Sequence, residues 1–243
     1  MTKYRDDEYE CIRSTVSMGK HCEIAPGVDC EDMKKRVDSP NDGMYWLDPD
    51  GGSPTNAFQA YCDMTSYSGG WTMCYTTEQY VTPKTEVTHN AQFPYGSDGY
   101  RNDCNNIPFT EIIFIDHQND NKAYFTRRSQ GVITAAMSYG NDAASYGLWD
   151  GVGTSSAYSY QLLICHGPYF HGFMISGYAG NNYKRCGNWR LDTRSPYFRS
   201  ASTNNNFGGV AFNVNGYGKL AYRLISVGLR YGSYFHNRFV SSE

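Results

Sequence analysis

The chain has 243 residues and a formal net charge of -3, with 16% aromatic and 19% charged residues. That charge, with a pI near 6.1, excludes the basic footprint of a nucleic-acid binder and equally a polyacidic binder of mineral. Many aromatics and few charges exclude a disordered tail, and apolar runs of only about four residues fall far below the ~20 needed to cross a bilayer.

Residues 1–28 are a polar lead carrying Cys11 and Cys22, which reads as a small stapled appendix. Asp29 then caps a predicted helix over Cys30–Val37, with Asp32 three residues on in the manner of a capping box. Cys30, Met33 and Val37 share one face of it. Ser39-Pro-Asn-Asp-Gly43 stops the helix with strong turn chemistry. Strands are predicted at Met44–Leu47, Ala57–Cys62 and Trp71–Thr76, the first two joined by the turn-rich loop Asp48–Asn56. Further short β-type runs fall at Glu111–Asp116, Lys122–Arg127, Tyr160–Ile164, Phe173–Ser176 and Val210–Val214. In the last element Ile225, Val227, Leu229 and Tyr231 alternate with Ser226, Gly228 and Arg230, as a half-buried strand requires. The main domain is expected over 29–232, with a tail at 233–243.

Eight cysteines, Cys11, Cys22, Cys30, Cys62, Cys74, Cys104, Cys165 and Cys186, form an even, widely spaced set. This spacing suits an oxidised extracellular domain better than the short metal or redox motifs of a cytosolic one. The first ten residues are charged and hold no apolar signal core. The expectation is a mature form or fragment of a secreted protein whose signal lies upstream. No Asn-x-Ser/Thr acceptor occurs. Eight cysteines allow 105 pairings.

Cys30-Glu-Asp-Met-Lys-Lys-Arg, Asp42-Gly-Met-Tyr-Trp-Leu-Asp-Pro-Asp-Gly, Tyr61-Cys-Asp-Met and Gly69-Gly-Trp-Thr follow one another in an order and spacing that resembles the opening of fibrinogen C-terminal-like domains. Cys165-His-Gly-Pro-Tyr-Phe and Cys186-Gly-Asn-Trp resemble the second cysteine pair of intelectin-type relatives. The resemblance implies an α+β fold: a twisted antiparallel sheet with short helices, a loop-rich C-terminal region and disulfide staples. It implies secretion and the bridges Cys30–Cys62 and Cys165–Cys186, which leaves Cys11–Cys22 and Cys74–Cys104 as the local pairs. The likeness extends to cnidarian extracellular proteins, including components of coral skeletal organic matrix.

Asp48-x-Asp50-x-x-Ser53-x-x-Asn56 sets oxygen groups at short intervals in a Gly-rich loop, as a hard cation such as calcium requires. The tract also resembles the loop that heads fibrillar collagen C-propeptides and opens a calcium site there. By that likeness Asp48 and Asp50 supply carboxylates, Ser53 a backbone carbonyl and Asn56 a side-chain oxygen. Gly51 stands at a ligand position, however, and Asn56 replaces a carboxylate. The same letters also make a plain Asp-Pro-Asp-Gly turn. Asp116–Asn121 is a second oxygen-rich run, of the kind that hairpin loops are built from. Calcium near the second cysteine pair lacks ligands: 143–164 holds only Asp150, and 166–185 holds no acid.

Glycan recognition needs an aromatic face for C–H stacking and planar polar groups for hydroxyls. His166, Tyr169, His171, Asn181, Asn182, Tyr183 and Trp189 cluster in sequence around the Cys165–Cys186 pair, where the relatives bind sugars. The plainer reading has Tyr169 and Trp189 packing behind that bridge.

Catalysis finds little support. A disulfide-bound Cys165 has no thiolate for His166 to activate, Gly151-Val-Gly153 lacks the third glycine of a nucleotide loop, and HExxH and GxSxG are absent. The expected function is a secreted, non-catalytic binder of glycans or matrix proteins. The alternative is a structural component of a biomineral-associated organic matrix without lectin activity.

Overall fold

The computed structural model describes residues 25–78, 81, 86–118, 120–127, the strand segments 148–152, 159–166, 171–176 and 198–199, and residues 224–232. The expected strand at 210–214 lies outside the described residues, as do Cys11, Cys22 and Cys186.

Helix α1 spans Cys30–Arg36. Asp29, with extended backbone at φ -158°, accepts from the Asp32 N–H at 2.7 Å and satisfies one donor of the first turn. Asp32 reaches back to the Val28 N–H at 3.1 Å, one residue before the cap itself. Glu31 and Asp32 occupy the first turn and Lys34, Lys35 and Arg36 the last, the order the helix dipole favours. Cys30 and Met33 are buried and Val37 packs against them half-buried, so the predicted face is the one that docks.

Among the described residues ten strands follow: β1 Gly43–Leu47, β2 Phe58–Asp63, β3 Trp71–Thr77, β4 Glu111–Asp116, β5 Asn121–Arg127, β6 Leu148–Val152, β7 Ser159–His166, β8 His171–Ser176, β9 Phe198–Arg199 and β10 Ile225–Arg230. They form one antiparallel sheet in the order β1-β2-β3-β10-β4-β5-β6-β7-β8-β9. Strand β6 was not expected, because Leu148-Trp-Asp-Gly-Val lacks a clean alternation. Pairing with β5 and β7 on its two sides holds it in place. The Asp116–Asn121 run closes the β4–β5 hairpin, with Asp116 opposite Asn121 and Asp120 at φ 51°.

β10 is fully buried from Ile225 to Arg230, not half-buried as the alternation suggests. This last of the described strands inserts between β3 and β4, where both sheet faces are covered. Ile112, Phe114, Val227 and Leu229 belong to a large core that includes Phe109, Phe125, Leu162 and Phe173. Ile113, Ile115, Met73 and Trp71 belong to a second cluster around Tyr100. Alternate residues of one strand thus feed two cores. Full burial of such side chains contributes roughly 1.5–3 kcal/mol each. Gly228 sits at a register shift after Val227, and a Cβ there would lie 2.5 Å from Met73 Sδ and 2.8 Å from Ile113 Cγ2. A larger residue at this position would force the Met73 and Ile113 side chains to shift.

Among the described residues two disulfides tie the first half together, Cys30–Cys62 joining α1 to β2 and Cys74–Cys104 joining β3 to the following loop. All four cysteines are buried. Among the described residues no helix is long and apolar enough to cross a membrane.

A polar chain runs through the second core. His117 Nε2 lies 2.7 Å from Ser226 Oγ, which lies 2.5 Å from Thr76 Oγ1. Tyr95 stacks edge-on against the imidazole at 5.4 Å and bonds Ser226 through its hydroxyl. Burial holds the imidazole below its usual value near 6.5, with Asp116 and Asp120 pulling it up and Lys122 pushing it down. Between the two values the unfolded chain binds more protons than the folded one, so stability rises with pH. Thermal melts are therefore expected to show the wild type losing stability as pH falls from about 7 to 5. His117→Gln should flatten that slope, and an unchanged slope would remove His117 as its source.

Candidate functional site

The Asp48–Asn56 loop leaves β1 at the edge of the sheet, where Gly27 makes a parallel bridge to Leu47. The Asp48 N–H donates to Gly27 O at 2.7 Å and the Gly51 N–H to Asp48 O at 3.0 Å, with Gly51 at φ 63°. That positive φ folds Asp50 back toward Asp48. The 3-10 turn Pro54–Asn56 then returns the chain, and Asn56 Nδ2 donates to Asp50 Oδ2 at 2.8 Å. Asp50 Oδ1 accepts from Gly52 N at 3.1 Å.

The two carboxylates meet. A hydrogen bond to Asp50 raises the Asp48 carboxyl above its ordinary value, and the same bond, with those from Gly52 and Asn56, lowers Asp50. Asp48 is buried while Asp50 is exposed, and Asp48 Oδ1 has no hydrogen-bond partner. A buried carboxylate oxygen left without a donor is costly, and a hard cation is one group that would satisfy it. Three of the four expected calcium ligands, Asp48, Asp50 and Asn56, are therefore brought together. Ser53 Oγ instead meets Thr55 Oγ1 at 3.2 Å, which leaves its backbone carbonyl as the oxygen expected from that residue. Asn56 turns its Nδ2 and not its oxygen toward Asp50, so the oxygens brought together are those of the two carboxylates, a pair that suits a hard cation such as calcium. Among the described residues no three His, Cys, Asp or Glu side chains converge on one point, and this loop brings two carboxylates together.

Of the expected glycan surface, the backbone of His166 and His171 is placed: they are the last Cα partners of the β7–β8 pairing, at the end nearest its connection. Tyr169, Asn181, Asn182, Tyr183 and Trp189 lie outside the described residues.

Sequence reasoning passed over Arg230, reading it as an outward position of the last strand. The residue is 9% exposed. Its Nε meets Glu111 Oε2 at 2.5 Å, its Nη1 donates to Tyr67 O at 2.8 Å and Gly69 O at 2.7 Å, and the guanidinium lies 3.9 Å from the Trp71 ring centroid. Burial pushes the Glu111 carboxyl up and the Arg230 guanidinium draws it back. A lone charge on the buried end of a core strand was the available signal, since such a residue needs a counter-ion.

Residues 10–125 match the sequence model of the fibrillar collagen C-terminal domain family. That stretch contains α1, β1 to β4, both disulfides and the Asp48–Asn56 loop, and its family is of the same fold class as the fibrinogen-like one. Among solved structures, the chain is similar to the fibrinogen-like globe domain of human ANGPTL6, at 15% identity and a TM-score of 0.38, covering 86% of this chain and 97% of that one. It is also similar to the corresponding domain of human ANGPTL2, at 13% identity and a TM-score of 0.39, covering 85% and 99%.

Proposed function

We propose that the chain is a secreted, disulfide-bonded and non-catalytic binding domain that recognises glycans or extracellular matrix partners. The observation that carries this reading is the pair of buried disulfides within the stretch matching the fibrillar collagen C-terminal domain. Such bridges form and persist in oxidising compartments. The recognition surface is assigned to His166, His171, Tyr169, Asn181, Asn182, Tyr183 and Trp189, whose rings and amides suit C–H faces and hydroxyls. A glycan array, run with calcium and with chelator, tests it. Saturable binding that Trp189→Ala abolishes is expected; a blank array under both conditions would sink the glycan reading.

Calcium is assigned to Asp48, Asp50, Asn56 and the Ser53 carbonyl. Extracellular modules bind it with dissociation constants of about 0.1–1 mM. At ~10 mM calcium such a site stabilises the fold by about 1.4–2.7 kcal/mol through mass action. Thermal unfolding in calcium against chelator should show this rise, and Asp50→Ala should erase it. No shift in the wild type would remove the ion from the reading.

The second reading, a structural component of a biomineral-associated organic matrix, draws on β1. This strand ends the sheet order and presents Met44 and Trp46 at 42% and 48% exposure, a surface suited to protein contacts. Localisation to demineralised skeleton together with an empty glycan array would favour it.

A further inference from the structure

A cleft of about 190 Å³ opens between α1, the turn at 66–68 and the ends of β4 and β10. It is smaller than the roughly 300–1,000 Å³ of pockets for drug-sized ligands, so it suits a single ring. Glu31 and Lys34 of α1, Tyr67 and Ser68 of the turn, and Glu111, Tyr124 and Arg230 line it.

The polar groups are balanced in charge and mixed in kind. Two carboxylates offer acceptors. Glu31 is held only loosely, at 4.0 Å from Lys34 Nζ and 3.5 Å from Lys35 Nζ. Lys34 Nζ also donates to Ser68 O at the rim. Arg230 uses Nε and Nη1 as described above, and its Nη2 has no partner among the described residues. Stacking on Trp71 fixes the guanidinium plane before any ligand arrives. An anion in the cleft would meet Glu31 and Glu111, and a cation would meet Lys34 and Arg230. A neutral polyol meets no such opposition, because each hydroxyl both donates and accepts.

The walls are aromatic. Tyr67 and Tyr124 lie with ring centroids 4.6 Å apart and planes at 49°, and Tyr67 is anchored by its hydroxyl to Lys122 O at 2.9 Å. Tyr67 and Ser68 hold φ of 47° and 73°, a region that non-glycine residues seldom adopt and that clusters at functional sites. Two glycines make room for the acids: a Cβ on Gly70 would collide with the Glu31 carboxylate, and one on Gly232 with that of Glu111.

We infer that this cleft is a calcium-independent binding site for one neutral sugar ring. Its C–H face lies on Tyr67, and its hydroxyls bond Arg230 Nη2, Lys34 Nζ and the Glu31 carboxylate. Among the described residues the cleft lining includes none of those assigned to the His166 and Trp189 surface, and the two readings can fail independently.

Saturation-transfer NMR in chelator, with N-acetylglucosamine, galactose, mannose and fucose as probes, tests the inference. Saturable binding of at least one sugar is expected. Tyr67→Asn, which keeps a residue tolerant of positive φ, should weaken it about tenfold, equivalent to roughly 1.4 kcal/mol. Lys34→Ala, at the exposed rim, should weaken it about three- to tenfold through loss of one hydrogen bond, and it decides the matter should Tyr67→Asn not fold. Trp189→Ala should leave it unchanged. Absence of saturation for every probe, binding indifferent to both cleft variants, or loss with Trp189→Ala would each overturn the site. Binding confined to glucuronic acid or to glucosamine, used as charged controls, would overturn the ligand class.

Discussion

Glu111→Ala is expected to lower the free energy of unfolding by about 3–5 kcal/mol, because it strands a buried guanidinium without its counter-ion. An arginine side chain keeps its charge inside a protein. Arg230 would stay charged, 9% exposed, over the Trp71 ring and bonded to two backbone carbonyls. Those carbonyls and the ring soften the loss without replacing the carboxylate. The double variant Glu111→Gln with Arg230→Met removes both charges at similar volume, and is expected to recover most of the deficit. Urea unfolding of the wild type, the single and the double variant measures both effects. A single variant within about 0.5 kcal/mol of wild type, the scatter of ordinary surface changes, would show that the pair does not hold β10 in place.

Removal of the Cys30–Cys62 bridge by Cys30→Ala with Cys62→Ala is expected to cost up to about 4 kcal/mol by the chain-entropy model, given a sequence separation of 32 residues. The loss should be concentrated in α1. A seven-residue helix is too short to persist by its own propensity, and its N-terminus is held by the bridge and by the buried Cys30 N–H to Thr72 Oγ1 bond at 3.0 Å. Hydrogen exchange at residues 33–37 should accelerate more than exchange in β4. Equal acceleration in both would mean that the bridge stabilises the whole sheet by limiting the unfolded chain and does not clamp the helix.

The first half of the fold is legible because its signals are local. Asp29 and Asp32 bracket the start of α1 by sequence position alone, and the turn at 39–43 ends it. The Asp48, Asp50 and Asn56 arrangement is legible for the same reason, since all three lie within nine residues and the turn chemistry of Gly51 and Pro54 folds them together. The cleft is not legible. Its groups come from residues 31, 34, 67, 111, 124 and 230, and no spacing rule connects them.

Composition and pattern by themselves determined an oxidised, aromatic, mostly β chain with a short capped helix, and they marked one oxygen-rich loop. Only the tertiary structure decided that the last strand runs through the centre of the sheet. Alternation reports that a strand has two faces, but which of them meet water depends on what packs there. With β3 and β4 on either side and a cluster above and below, Ser226 became part of a buried polar chain and Arg230 the charged floor of a cleft.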